Sequence, residues 1–173
     1  RCAEFEDSKA SVLGEYLPAK LGMEEEESVA AVCLPGDYKG NILFVFENGK
    51  VAKVAVAAYD TKTNRRRLTG AYSDKSPLKA VILLTEEDEQ IVLYSTEGRA
   101  LIFSAAQLTT KTTRTSQGVA VMTLKKKYVL DRALCLGQSP IQNPSRYRSR
   151  SLPAAGALLR EEDTGETQVE LEL

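Results

Sequence analysis

The chain repeats itself, and that repetition limits what it can fold into more than any other feature. "TKTNR" at 61–65 returns as "TKTTR" at 110–114, 49 residues later. The stretches ahead of the two copies, "NILFVFENGKVAKVAVAAYD" (41–60) and "QIVLYSTEGRALIFSAAQLT" (90–109), match without a gap. Each holds an apolar run, a polar pair, a glycine, a basic residue and a second apolar run. Gly49 falls on Gly98 and Lys50 on Arg99. Downstream, "SPLKAVILL" (76–84) aligns with "SQGVAVMTL" (116–124) once an insertion is allowed, and a partial third copy precedes both, with "EFEDSKAS" (4–11) and "ESVAAVCL" (27–34) echoing the later units. A unit of about 50 residues repeated roughly two and a half times predicts stacked supersecondary modules rather than one irregular core.

The apolar runs at 42–46, 51–56, 80–84, 91–94, 100–103 and 119–124 are short, rich in Val, Ile and Phe, and bounded by glycine or charge. They read as strands. "ENGK" (47–50) and "TEGR" (96–99) read as tight hairpin turns, Asn48-Gly49 most strongly, because a type I′ turn needs positive φ at both central positions. About four strands per unit is the content of a propeller-like blade, and a blade must bury its two faces against neighbours. The fold expected is all-β, about three blades over partial repeats 1–40, 41–89 and 90–136. The only helical candidates are a turn or two within 68–76 or near 12–21. Lys53, next to apolar Val54 and two residues after Val51, is expected to be an outward-facing strand residue. From 137 to 173 the chain is rich in Pro, Ser and Arg and then acidic, and reads as an extended tail, with "QVELEL" able to add an edge strand.

No apolar run approaches the ~20 residues of a membrane span and no presequence opens the chain, so the expected setting is soluble and cytoplasmic. The first residue is Arg1 rather than Met, as expected of a piece of a longer polypeptide. Cys2, Cys33 and Cys135 are odd in number and widely spaced, which fits buried thiols better than disulfides or zinc. There is no histidine, no phosphate-binding Gly-Lys loop and no arranged nucleophile, so no active site and no cofactor are expected. The acidic runs 24–27 and 86–89 read as solvated turns rather than metal ligands, since a metal needs converging donors.

The net charge of −1 hides a segregation. Residues 1–49 carry 4 basic and 10 acidic side chains, residues 50–132 carry 15 and 8, and residues 133–173 carry 4 and 6. A middle region at +7 between acidic flanks points to a polyanion-binding face.

The hairpin units "ILFVFENGKVAKV" and "IVLYSTEGRALIF", each followed by a polar loop, and "TSQGVAVMTL" resemble the β-pinwheel repeats in the C-terminal domain of the A subunits of bacterial type IIA topoisomerases, DNA gyrase and topoisomerase IV. The resemblance covers about residues 1–136. It implies a disc of blades whose basic rim binds and bends duplex DNA for the cleavage core. It also implies that the catalytic tyrosine and the ATPase lie elsewhere, on the rest of the A subunit and on the B subunit of an A2B2 enzyme. Gyrases that introduce negative supercoils carry a box resembling Q-R-R-G-G-K-G. The nearest run here, "TNRRRLTG" (63–70), lacks the leading Gln and the paired Gly, so a topoisomerase IV-like or reduced gyrase-like domain is implied.

Lysine and arginine neutralise phosphates without reading bases, and threonine hydroxyls accompany them. The candidate DNA contacts are therefore Lys62, Arg65, Arg66, Arg67, Lys111 and Arg114 in the TKT-R loops, with Lys75, Lys79, the post-glycine Lys50 and Arg99, and Lys125, Lys126 and Lys127. The two TKT-R loops are expected to line one edge of successive blades. Tyr59, Tyr72 and Tyr94 are expected to pack rather than stack on bases, and "RYRSRS" (146–151) to be a lesser, flexible contributor. The competing reading is a propeller-like protein-interaction module with no nucleic-acid role.

Overall fold

The computed structural model describes residues 5–61 and 68–165. Two hairpins form its centre, β1 (Asn41–Phe46) with β2 (Lys50–Ala55), and β4 (Gln90–Ser95) with β5 (Arg99–Ser104). Their registers are identical after the 49-residue shift: Asn41 faces Ala55 as Gln90 faces Ser104. Gly49 and Gly98 sit at the turns with φ of 77° and 73°, a conformation that costs a side-chain-bearing residue strain.

β3 (Leu78–Leu83) pairs antiparallel with β1, and β7 (Leu130–Cys135) pairs with β4. Each pairing carries a bulge at the equivalent place, between Val45 and Phe46 in one and between Tyr94 and Ser95 in the other. The counterpart of "SPLKAVILL" is thus β7 and not "SQGVAVMTL". The strand read over 119–124 shrinks to β6 (Val119–Ala120), which pairs on the other side of β2. Beyond Ala120 the chain leaves the sheet: Val121 and Met122 both donate to the Gly49 carbonyl and bury their side chains in the core.

This placement explains the architecture. The sheets run β3-β1-β2-β6 and β7-β4-β5-β8, with β8 at Ala157–Leu158. β6 comes after the second hairpin in sequence but completes the first sheet, so one repeat lends its neighbour an outer strand. β8 does the same for the second sheet from residues expected to form a tail. Two glycines mark the equivalence. A Cβ on Gly118 would lie 2.4 Å from the Val51 carbonyl oxygen, and one on Gly156 would lie 2.4 Å from that of Ala100, the residue 49 positions beyond Val51. Both glycines have positive φ, and both let the crossing chain touch a central strand.

The main core lies between the sheets, where Leu43, Val45 and Val51 of the first meet Ile91, Leu93, Leu101 and Phe103 of the second. The outer face of the first sheet buries Phe44, Phe46, Ala52 and Val54. The outer face of the second buries Val92, Tyr94, Ala100 and Ile102 beneath Ile141 and Tyr147. Residues 137–165 are therefore folded onto the second sheet rather than extended, because their few large apolar side chains fill the cover that this face needs. The all-β pinwheel reading holds, with two sheets among the described residues instead of about three. Residues 5–40 contribute no strand. They hold a short helix, α1 (Leu17–Leu21), closed by left-handed Gly22, and 68–76 stay non-helical.

Lys53 also departs from expectation. It is 2% exposed, and its ammonium donates to Glu87 Oε1 at 2.7 Å and to the Ala105 carbonyl at 3.2 Å. A buried ammonium is tolerated only with such partners, and since Ala105 directly follows β5 while Glu87 lies in the loop leading into β4, Lys53 ties the first sheet to the next.

Candidate nucleic-acid interface

After each hairpin's partner strand the chain turns through a 3-10 segment and crosses to the outer edge of a sheet. After β5, Ala105–Gln107 forms this turn, closed by a capping box in which Ser104 accepts from Ala106 and Gln107 reaches back to Ser104. The chain then runs alongside the end of β2: the Lys111 N–H donates to the Lys53 carbonyl at 2.7 Å, and the Ala55 N–H to the Lys111 carbonyl at 2.9 Å. This holds the second TKT-R loop on the outer edge of the first sheet. Residues 109–113 are all exposed, and Lys111 among them is without an ion pair among the described residues. Arg114 is half-buried and donates to the Ala58 carbonyl at 3.0 Å. Burial pushes the nearby Tyr59 hydroxyl up to about 12, the Arg114 charge acting in the opposite direction.

Ala58, Gly70, Thr112, Thr113, Arg114 and Thr115 line an open cleft of about 330 Å³ here. Among the described residues its wall contains a guanidinium and three threonines but no carboxylate. Lys62, Arg65, Arg66 and Arg67 lie outside the described residues. Thr61 and Leu68, on either side of that gap, are described.

A second group of candidates collects at the hairpin tips, where acids compensate most of it. Lys79 pairs with Glu47 at 3.3 Å. Arg99 lies 3.3 Å from Glu97 and donates to the Gly156 carbonyl at 2.9 Å, while Lys125 also pairs with Glu97. The Lys125 ammonium is the main reason that the Glu97 carboxyl stays below its ordinary value, with burial opposing and Arg99 assisting. Lys75 is exposed beside Asp74 at 3.9 Å. Lys50, Lys126 and Lys127 have no ion pair among the described residues. The three tyrosines pack: Tyr72 stacks on Phe44 with ring centroids 5.7 Å apart, Tyr59 lies 6.2 Å from Phe44, and Tyr94 is buried under the Arg132 guanidinium.

The equivalent crossing on the second sheet contains 146–151, on sequence grounds only a lesser contributor. There the Ile102 N–H donates to the Tyr147 carbonyl at 2.8 Å and the Ser149 N–H to the Ile102 carbonyl at 2.9 Å, which brings 147–149 to the same edge of β5. Tyr147 points inward, 1% exposed, and its hydroxyl donates to Asp163 at 2.6 Å. Asp163 is fully buried and also accepts from the N–H groups of Gln142 and Asn143 at 2.7 and 3.3 Å. Burial alone would raise its carboxyl pKa. The Tyr147 hydroxyl, the two backbone donors and the Arg146 charge outweigh that and hold it below its ordinary value. Arg148 and Arg150 point outward from this anchored segment. The signal that could have found them is Gly156, which repeats the role of Gly118.

The pinwheel arrangement is shared with solved structures. The C-terminal domain of DNA topoisomerase IV superposes with a TM-score of 0.75 at 20% identity, over 90% of this chain and 53% of that one. The E. coli ParC C-terminal domain gives 0.62 at 13% identity, over 88% and 68%. The DNA gyrase A C-terminal domain gives 0.53 at 20% identity, over 73% and 47%. This chain has the fold of the C-terminal domains of type IIA topoisomerase A subunits. It spans about half the length of the gyrase A and topoisomerase IV domains. No protein-family model and no curated protein matches it. Among the described residues no helix is long and apolar enough to cross a membrane.

Proposed function

We propose that this chain is the DNA-binding and DNA-bending part of the C-terminal domain of a type IIA topoisomerase A subunit, gyrase-like or topoisomerase IV-like. In this reading it has no active site, metal or cofactor of its own. It presents duplex DNA to a cleavage core formed with the rest of the A subunit and the ATPase B subunit in an A2B2 enzyme of the bacterial cytoplasm. The observation that carries the proposal is the outer edge of the first sheet, where Lys111 is exposed and, among the described residues, has no acidic partner, beside a cleft of Arg114 and threonines with no carboxylate among them. Hydroxyls, backbone N–H groups and uncompensated cations suit phosphate oxygens, and they carry no base readout. Bending a duplex around such an edge costs elastic energy that additional phosphate contacts offset.

Fluorescence anisotropy with an arbitrary duplex of about 40 base pairs, at roughly 50 and 200 mM salt, tests this. Each phosphate contact contributes ~0.9 to the slope of log affinity against log salt. Changing Lys62, Arg65, Lys111 and Arg114 together to Ala should flatten that slope by up to about 3.6. Absence of binding by the wild type at the lower salt would overturn the proposal and favour a protein partner.

A further inference from the structure

We propose that Arg148 and Arg150 form a second phosphate-binding station on the outer edge of the second sheet, so that the presumed tail supplies part of the duplex track. The inference rests on the DNA-binding reading above and gives a fixed place on the fold to residues that the sequence pattern makes only a lesser, flexible contributor.

The first support is positional. β6 and β8 occupy the same place on their sheets: Val119 faces Val51 and Ala157 faces Ala100, while Ala120 faces Lys50 and Leu158 faces Arg99. Val121 donates to the Gly49 carbonyl, and Leu159 to that of Gly98. Gly118 and Gly156 press the same spot on β2 and β5. The segments leading into these glycines are therefore equivalent, and 148–150 lies where 110–112 lies on the neighbouring sheet. Both segments also bridge a central strand in parallel, Lys111 with Val54 and Arg148 with Ile102, but one residue out of step: Ile102 is the counterpart of Lys53, and the Ser149 N–H on the Ile102 carbonyl matches the Lys111 N–H on the Lys53 carbonyl.

The second support is chemical. Of the three arginines in "RYRSR", Arg146 is spent internally on Glu162 at 3.2 Å and Asp163 at 3.4 Å. The Arg148 Nε instead donates to the neutral amide oxygen of Gln90 at 2.9 Å, which orients the guanidinium without cancelling its charge. The exposed Arg150 side chain has no acidic partner among the described residues. Its backbone is held by the Gln107 amide, which donates to its carbonyl at 3.1 Å. These groups face an open cleft of about 530 Å³ whose polar lining is Gln90, Ser104, Gln107, Ser145 and Ser149 with the two arginines. Like the cleft on the first sheet it contains guanidinium and hydroxyl groups, here with two side-chain amides, and no carboxylate among the described residues. By contrast, the cleft beside β7 is lined by Glu86, Asp88 and Glu89. Planar, uncompensated guanidinium forks suit phosphate oxygens; that of Arg148 is oriented by Gln90, and both arginines are exposed while Tyr147 anchors the segment.

The test uses the same anisotropy titration on the whole chain. Arg148→Gln with Arg150→Gln should lower the salt slope by about 1.8 and weaken binding at 100 mM salt roughly ten-fold or more. Arg148→Lys with Arg150→Lys should keep most of the slope, since the charge remains. Should the double glutamine variant lose its circular dichroism, Arg150→Gln alone carries the test, with an expected slope loss of about 0.9. A wild type that binds steeply, beside folded glutamine variants with the same slope and affinity, overturns this station and leaves the first-sheet interface standing. No binding by the wild type removes the parent reading, and this station with it.

Discussion

On the outer face of the second sheet Tyr147 is 1% exposed, whereas on the outer face of the first sheet Tyr72, stacked on Phe44, is 40% exposed. The hairpins beneath are nearly the same object, with matching registers and matching bulges. One is covered by a segment anchored through a buried carboxylate, the other by the 3-10 turn Val56–Tyr59 and two tyrosines, with Tyr59 donating to the Ala71 carbonyl at 2.6 Å. Two sheets of equal construction can therefore differ in stability through what the rest of the chain lays over them.

Removing the anchors should expose this difference most clearly. Tyr147→Ala empties a filled core position and strands Asp163, and should cost about 3–5 kcal/mol in urea denaturation. It should also open 137–165 to limited proteolysis. Tyr72→Ala, at a half-open position, should cost about 1 kcal/mol. Equal costs would mean that the two covers are equivalent after all.

Next in size are the crossing glycines. Gly118→Ala and Gly156→Ala should each cost about 2 kcal/mol or more, because a Cβ at positive φ would also collide with a strand carbonyl. Similar losses would sharpen the equivalence of the two crossings, and a neutral Gly156→Ala would break it.

Asp163→Asn should cost about 1–3 kcal/mol, since one good acceptor for several buried donors is weakened. Its carboxyl lies below its ordinary value when folded. The stability it adds is therefore complete above the unfolded value of about 3.9 and is lost as pH falls through the folded value. The wild type should lose this increment on acidification below about pH 4, and the Asn variant should lack that part of the acid dependence in thermal melts.

The smallest effect belongs to Lys53→Met, expected within about 1 kcal/mol of wild type. The change removes the cost of burying an ammonium, and Glu87, whose side chain is 71% exposed, returns to water. Lys53→Ala, which leaves a void, should be clearly worse in the same denaturation experiment.

The hairpins were legible because each combines a gap-free repeat with a glycine turn, and Asn48-Gly49 states its turn type outright. β7 was not, because Asp131 and Arg132 interrupt its apolar pattern and the bulge at Tyr94/Ser95 displaces it in register. The second crossing was hidden more thoroughly. Its prolines read as an extended tail, while its fixing contacts, Tyr147 with Asp163 and Gly156 with Ala100, join residues far apart in the chain. Lys53 was misjudged because periodicity gives the face of a strand and not what covers that face. At the interface the pattern of charge was visible, but which cations Glu47 and Glu97 neutralise was not, since that depends on which loops the fold brings together.

The lending of β6 backward has a consequence for cooperativity. A tandem repeat whose modules are self-contained can fray one module at a time, from either end. Here a cut within residues 105–118 would separate the first sheet from its outer strand and the second from β7, so neither half would be whole. The repeats are written in series, but their sheets are interlocked, and they should melt as one unit.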